Sequence, residues 1–181
     1  MTRSLIVCDV ESTGLTPGIH VPIEIAVINT ATGEELYIAP DVYPEAWAQL
    51  DPEAMRINRY FERRVYLSIT DPEDERSRAE ALADMLRGNT IAGSNPSFDR
   101  DMLAVWFARF DLTLTAHHRM LDLASFAAGI LDLDHLPGLA EVCERVGLGT
   151  GPDHSAMVDA RVTWQCFRGL REIRAGVRRP A

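Results

Sequence analysis

Residues 5–15, LIVCDVESTGL, constrain the fold more than any other stretch of this chain. Four consecutive apolar residues read as a buried strand, which runs out through Asp9, Val10 and Glu11 into a turn-forming Ser12-Thr13-Gly14. Side chains two apart on a strand share a face, so Asp9 and Glu11 project together. Two ionised carboxylates so placed repel each other and lose hydration, a cost that a bound divalent cation offsets. Solvated turn residues account for the same letters, since Asp and Ser commonly follow strands. What the rest of the chain brings alongside decides between the two.

After that turn, Val21 to Asn29 (VPIEIAVIN) and Glu34 to Ala39 (EELYIA), joined by a turn at Thr30 to Gly33, predict an antiparallel meander with the first strand. Glu24, inside the second apolar run, is either satisfied by polar neighbours or supports the site from behind. Asp51-Pro52-Glu53 reads as a helix start, opening a short helix through Tyr60. That helix carries Arg56 and Arg59 and runs into Arg63 and Arg64. The cluster reads as a solvated face or, with Tyr60 and Phe61, as a patch for phosphate contact and base stacking. Thr70 or Asp71 with Pro72 starts a helix over Glu73 to Arg87, and a short strand follows at Thr90 to Ala92.

Asn95 followed by Pro96 predicts the N-cap and first position of another helix. Along it, positions 99, 102, 103, 106, 107 and 110 form one apolar stripe with Asp99 at its N-terminal end. A carboxylate on a buried face needs a partner, whether a helix cap or a cation. Asp101 faces away. His118 to Leu121 reads as a strand and Asp122 as the N-cap of a helix from Leu123 to Leu131, with a further helix from Leu136 to Val146. His117, His118 and His135 lack partners at metal-ligand spacing. A Gly/Pro-rich loop, Gly147 to Asp153, leads to a last helix from Ser155 to Arg174. His154 and Asp159 are separated by about 140° on a regular helix, at about 100° per residue. They converge only if His154 stands in the loop and Asp159 one turn inside the helix.

At 181 residues the chain is expected to form one domain, with its core at about 4–172 and a short Arg-rich tail. The net charge of −9 argues against coating nucleic acid by bulk electrostatics, but it suits an enzyme whose carboxylates hold metal at one cleft. All 18 basic residues are arginine. Arg168, Arg171, Arg174, Arg178 and Arg179 gather at the end, complementing the helix dipole or reaching phosphates. Cys8, Cys143 and Cys166 lack metal-site spacing and read as reduced structural thiols. The N-terminal apolar run is too short for a signal peptide or membrane span, so a cytoplasmic protein is expected.

Four carboxylates and a loop histidine from separate elements suit two-metal phosphodiester hydrolysis. In motif order the chain resembles the DEDD superfamily of 3'–5' exonucleases, in the subgroup with a catalytic histidine (DEDDh). Asp9-Val10-Glu11-Ser12-Thr13-Gly14, Asn95-Pro96-Ser97-Phe98-Asp99 and His154-Ser155-Ala156-Met157-Val158-Asp159 carry the three motifs. The resemblance implies an α/β, ribonuclease H-like fold: a mixed five-stranded sheet flanked by helices, three strands antiparallel and two parallel. It implies two Mg²⁺ or Mn²⁺ ions on Asp9, Glu11, Asp99 and Asp159, and His154 as general base on the attacking water. It also implies a 3' nucleotide against Ser12, Thr13, Gly14 and Leu15, with Asn95 and Phe98 on the substrate side. The expected partners are single-stranded DNA or RNA 3' ends, with a polymerase or a homodimer mate as further candidates. The competing expectation is a non-catalytic nucleic-acid- or polymerase-binding module of the same fold. Residues 40–72 match no motif and are a candidate for substrate choice.

Overall fold

Alternation along the first strand sets the layering. In the computed structural model, which describes residues 3–149, 151–177 and 179–180, strand β1 (Leu5–Ser12) turns Ile6, Cys8 and Val10 to one face of a sheet and Val7 to the other. β2 (Pro22–Asn29) pairs antiparallel with β1, and β3 (Glu35–Ile38) antiparallel with β2. β4 (Thr90–Gly93) runs parallel to β1, and β5 (Leu121–Asp122) parallel to β4. The order β3-β2-β1-β4-β5 makes one mixed five-stranded sheet, and with helices on both faces the fold is α/β and ribonuclease H-like, as the motifs imply.

On the first face, α3 (Pro72–Leu86) and α4 (Pro96–Ala108) press Ala79, Leu82, Leu86, Met102, Leu103, Trp106 and Phe107 onto the strand residues. The four apolar anchors of α4 contribute roughly 1.5–3 kcal/mol each on burial. Their sum exceeds the several kcal/mol that one buried carboxylate costs, so α4 can hold Asp99 at its N-terminal end. On the second face, α5 (Leu123–Leu131), α6 (Leu139–Arg145) and α7 (Ala156–Arg174) pack Leu123, Val142, Ala160, Phe167 and Leu170 against Val7, Ala26, Ile28 and Ala92. Cys8, Cys143 and Cys166 are buried free thiols.

The stretch without motifs forms a third, smaller core. α1 (Pro44–Trp47), α2 (Pro52–Asn58) and a 3₁₀ turn at Val65–Leu67 gather Val42, Ala46, Met55, Tyr60 and Val65 around Val21, Ile23 and Ala39. Two hydrogen bonds, one from backbone and one from a side chain, fix it to the end of β1: Asp51 N–H donates to the Thr13 carbonyl at 2.7 Å, and Asn58 Nδ2 to the Ser12 carbonyl at 3.1 Å.

Several boundaries differ from expectation for local reasons. α2 stops at Asn58 because Arg59 turns left-handed (φ 53°) and caps it, so Tyr60 lies outside the helix. The strand expected at His118 to Leu121 is reduced to Leu121–Asp122, with Asp122 accepting from Ser125 N–H as the N-cap of α5. α6 begins at Leu139, after Pro137 and an extended Gly138, rather than at Leu136. Asn95 precedes α4 in a left-handed conformation (φ 66°) and makes no side-chain cap, contrary to its expected role. No helix among the described residues is long and apolar enough to cross a membrane.

Candidate active site

The site arises where β1 outruns its neighbour. β4 pairs only with Leu5 to Val7, so the later part of β1 has no strand on that edge. The Val10 N–H exposed there donates to Asp99 Oδ1 at 2.9 Å. Asp99 therefore caps the strand edge from the start of its helix. Close approach of α4 depends on Gly93, where an added Cβ would sit 2.9 Å from the Cys8 carbonyl oxygen and 3.4 Å from Asp99 Oδ2.

By strand alternation Asp9 and Glu11 share the face of Val7, the face covered by α7. Asp159 stands in the first turn of α7, with Oδ1 accepting from Asp153 N–H at 3.0 Å and Oδ2 from His154 N–H at 3.2 Å. These bonds wrap the loop onto the helix and place His154 outside it, at φ 58°. Ligand atoms of Glu11, His154 and Asp159 all lie within 4.8 Å of one another. Asp9, Glu11, Asp99, His154 and Asp159 together line one cleft of about 400 Å³, with Phe98 and Leu139 among its apolar walls. A cleft of about 390 Å³ between β3 and α3 holds acids too, but Glu35 there is paired with Arg161 and Asp84 with Arg87.

The carboxylates strain against each other. Burial, then repulsion from Asp99, Glu11, Asp159 and Glu24, pushes Asp9 well above the usual carboxylate range. Glu11 is pushed up to about 7 by burial and by Asp159 and Glu24, while Arg63 opposes the shift. Asp99 and Asp159 are raised chiefly by burial, against the pull of the backbone N–H groups they accept. Such a set, rich in carboxylate oxygens with one imidazole, fits a hard divalent cation such as Mg²⁺ or Mn²⁺. Glu11, His154 and Asp159 bring ligand atoms close enough together to hold one, with Asp9 and Asp99 lining the same cleft.

The residues expected on the substrate side are spread around this cleft. Phe98 lines it. Ser12 Oγ donates to the Gly14 carbonyl at 2.6 Å, and Thr13 Oγ1 accepts from Val21 N–H at 3.1 Å, so both buried hydroxyls serve the turn. A Cβ added at Gly14 would stand 2.4–2.6 Å from the His20 ring, which would have to shift to admit it. Leu15 is 73% exposed. Asn95 Oδ1 accepts from Ser97 Oγ, and its N–H donates to Asp122 Oδ1.

Arg63, Glu24 and Asn58 join the site from outside the motifs. Glu24 is the register partner of Glu11 and is fully buried, its Oε1 accepting from Tyr37 Oη. Arg63 Nη2 reaches both Glu24 oxygens at 2.6 Å, and Nη1 donates to the His154 carbonyl at 2.6 Å. A carboxylate in an apolar strand signals that a partner exists. Nothing in the Arg56–Arg64 cluster marks which arginine it is, and Arg56 instead pairs with Glu53 in solvent.

A family model described as exonuclease, of the RNase T type, matches residues 6–167. The chain belongs to this exonuclease family. Its three motifs lie within the match and supply the five cleft residues. Two curated proteins, the DNA polymerase III PolC-type chains of Thermotoga petrophila and Thermotoga maritima, are each 28% identical over 173 residues. The alignment covers 94% of this chain and 12% of theirs. Among solved structures, E. coli Exonuclease I in complex with a dA16 oligonucleotide superimposes with a TM-score of 0.68 at 20% identity. A zinc-bound E. coli ExoI–ssDNA complex gives 0.69 at 18% identity. In both, the match covers 97% of this chain and 42% of the other. Exonuclease I of Methylocaldum szegediense gives 0.63 at 18% identity, over 94% of this chain and 41% of that one. This exonuclease chain thus spans about an eighth of its PolC-type relatives and about two fifths of those structures.

Proposed function

We propose that this chain is a metal-dependent 3'–5' exonuclease of the histidine-containing DEDD subgroup, removing nucleoside 5'-monophosphates from single-stranded 3' ends. The observation that carries the reading is the convergence of Asp9, Glu11, Asp99, His154 and Asp159, from β1, α4 and the α7 junction, on one cleft. Mutually repelling carboxylates are costly unless they serve a cation. Two Mg²⁺ or Mn²⁺ ions, when bound, would supply charge for the attacking and leaving oxygens of an in-line displacement. His154, in the loop beside Glu11 and Asp159, would take the proton from the attacking water. Asp159 orients that histidine by accepting the backbone N–H of His154 and Asp153. Phe98 offers an aromatic wall to a base, and exposed Leu15 an apolar edge beside the turn.

DNA is the proposed substrate, because the Exonuclease I relatives are recorded with DNA oligonucleotides. The PolC-type relatives are polymerases, which makes a polymerase the proposed partner class. The test is a 5'-labelled single-stranded oligonucleotide incubated with Mg²⁺. A ladder shortening from the 3' end is expected, abolished by EDTA and by Asp9→Ala, with DNA degraded faster than RNA of the same sequence. Cutting of a circular strand would point to an endonuclease. Tight binding in Mn²⁺ without turnover would favour a non-catalytic binding module.

A further inference from the structure

Arg63 stands in the motif-free segment, in the turn between α2 and the 3₁₀ turn, with its side chain only 20% exposed. Both of its terminal nitrogens are committed. Nη1 donates to the Asn58 carbonyl at 2.8 Å and the His154 carbonyl at 2.6 Å. Nη2 donates to both oxygens of buried Glu24 at 2.6 Å and to Ser155 Oγ at 3.2 Å. Asn58 in turn donates to the Ser12 carbonyl, one residue past Glu11. One continuous path therefore runs from the end of β1, through Asn58 and Arg63, to the loop that carries His154.

The other end of the same loop is gripped by Asp159, which accepts the His154 N–H. His154 is thus held by its N–H from α7 and by its carbonyl from Arg63, in a left-handed conformation (φ 58°) that is uncommon for non-glycine residues. Glu24 anchors the guanidinium: it is buried opposite Glu11 on β2, and its second contact is Tyr37 Oη. A lysine ammonium could not span this set, because its donors radiate from one point whereas the guanidinium forks in a plane.

We propose that Arg63 is a positioning residue that sets the distance between the Glu11 wall of the cleft and the His154 loop, with Glu24 as its anchor. The proposal rests on the exonuclease reading for its kinetic consequence but not for its structural one. Its competitors are a direct grip on substrate phosphate and a purely stabilising ion pair.

The experiment uses the full chain with Arg63→Met, Arg63→Lys and the double variant Glu24→Gln/Arg63→Met. The double variant removes the buried charge that Arg63→Met would orphan, while the amide oxygen introduced by Glu24→Gln can still accept from Tyr37, so it keeps the fold. In the double variant kcat should fall about 10–100-fold with KM within about threefold, the size of effect expected from sub-ångström to 1 Å misplacement of a reacting group. Arg63→Lys should fall between it and the parent. In a His154→Ala background the same changes should cost no more than about twofold, because the group being positioned is gone. Backbone amide exchange at Asp153 and His154 should accelerate at least about tenfold in the double variant, whether or not substrate is present. A raised KM that persists in the His154→Ala background would show a phosphate grip and overturn the proposal. Unchanged exchange in a well-folded double variant would overturn it too. Inactivity of the parent on every oligonucleotide would instead remove the exonuclease reading, and the exchange result would still decide Arg63.

Discussion

Burial raises the Asp9 carboxyl most, and four other carboxylates, Asp99, Glu11, Asp159 and Glu24, press it further. Raised carboxyls have a definite consequence for stability. Glu11, shifted from 4.5 to about 7, keeps its proton in the folded chain where the unfolded chain has lost it. The unfolded state then binds fewer protons, so stability declines as pH rises from about 4.5 to about 7, by up to about 1.4 kcal/mol per pH unit for each such group. Above that window the penalty is complete. In EDTA, thermal melts should therefore give a higher Tm at pH 5 than at pH 7. Asp9→Asn should flatten this slope and raise the pH 7 Tm while abolishing activity. A metal-free Tm that climbs between pH 5 and 7 would contradict the electrostatic account of the cleft. The period-two spacing made Asp9 and Glu11 legible as a pair, but not how many other acids surround them.

Among the elements, the turn after β1 shows how a motif glycine is enforced by its neighbours. Thr13 N–H donates to the Val21 carbonyl, Val21 N–H to Thr13 Oγ1, and Thr16 N–H to His20 Nδ1. Gly14 lies beneath that His20 ring. Gly14→Ala should displace the ring and break the Thr16–His20 bond, at a cost of about 1–2 kcal/mol from strain and a lost hydrogen bond. Chemical denaturation should register that loss, and His20→Ala in the same chain should recover the strain but not the Thr16–His20 hydrogen bond, whose acceptor it removes. A Gly14→Ala variant as stable as the parent would mean that the ring moves freely. Most helix caps, by contrast, follow from local letters, although the sequence leaves Thr70 and Asp71 both open before Pro72 and the structure chooses Asp71. Asp51, Asp71 and Asp122 each accept a backbone N–H two or three residues on, the short-range bond their position before Pro or an apolar run implies. Asn95 failed that reading because its backbone is left-handed and its side chain turns to Ser97. The Arg168, Arg171 and Arg174 cations do lie on α7, whereas Arg178 falls outside the described residues.

For the molecule as a whole, the sheet and its two apolar faces hold a cleft that is least stable when empty of cations. Binding a cation only to the folded chain adds about 2.7 kcal/mol at a hundredfold excess over Kd. For a chain of this length that corresponds to a Tm rise of about 5–10 °C. Titrating Mg²⁺ or Mn²⁺ into the metal-free protein at pH 7 should produce such a rise, and Asp9→Asn should remove most of it. Equal shifts in the parent and the variant would place the cations elsewhere. The net charge of −9 belongs to the same picture, since general attraction for a polyanion is absent and binding must be won locally.

What the chain order determined by itself was local: the face shared by Asp9 and Glu11, the apolar stripe behind Asp99, and the step from loop to helix between His154 and Asp159. These follow from periods of two and 3.6 residues and from the short reach of capping side chains, all within a few residues. Only the tertiary structure decided that β1 outruns β4, leaving Val10 N–H for Asp99, and that Arg63 rather than a neighbouring arginine meets Glu24 and the His154 carbonyl. The reason is physical. Which of several chemically identical groups pairs with a residue 39 or 91 positions away depends on packing of the whole core, and no local pattern records that distance.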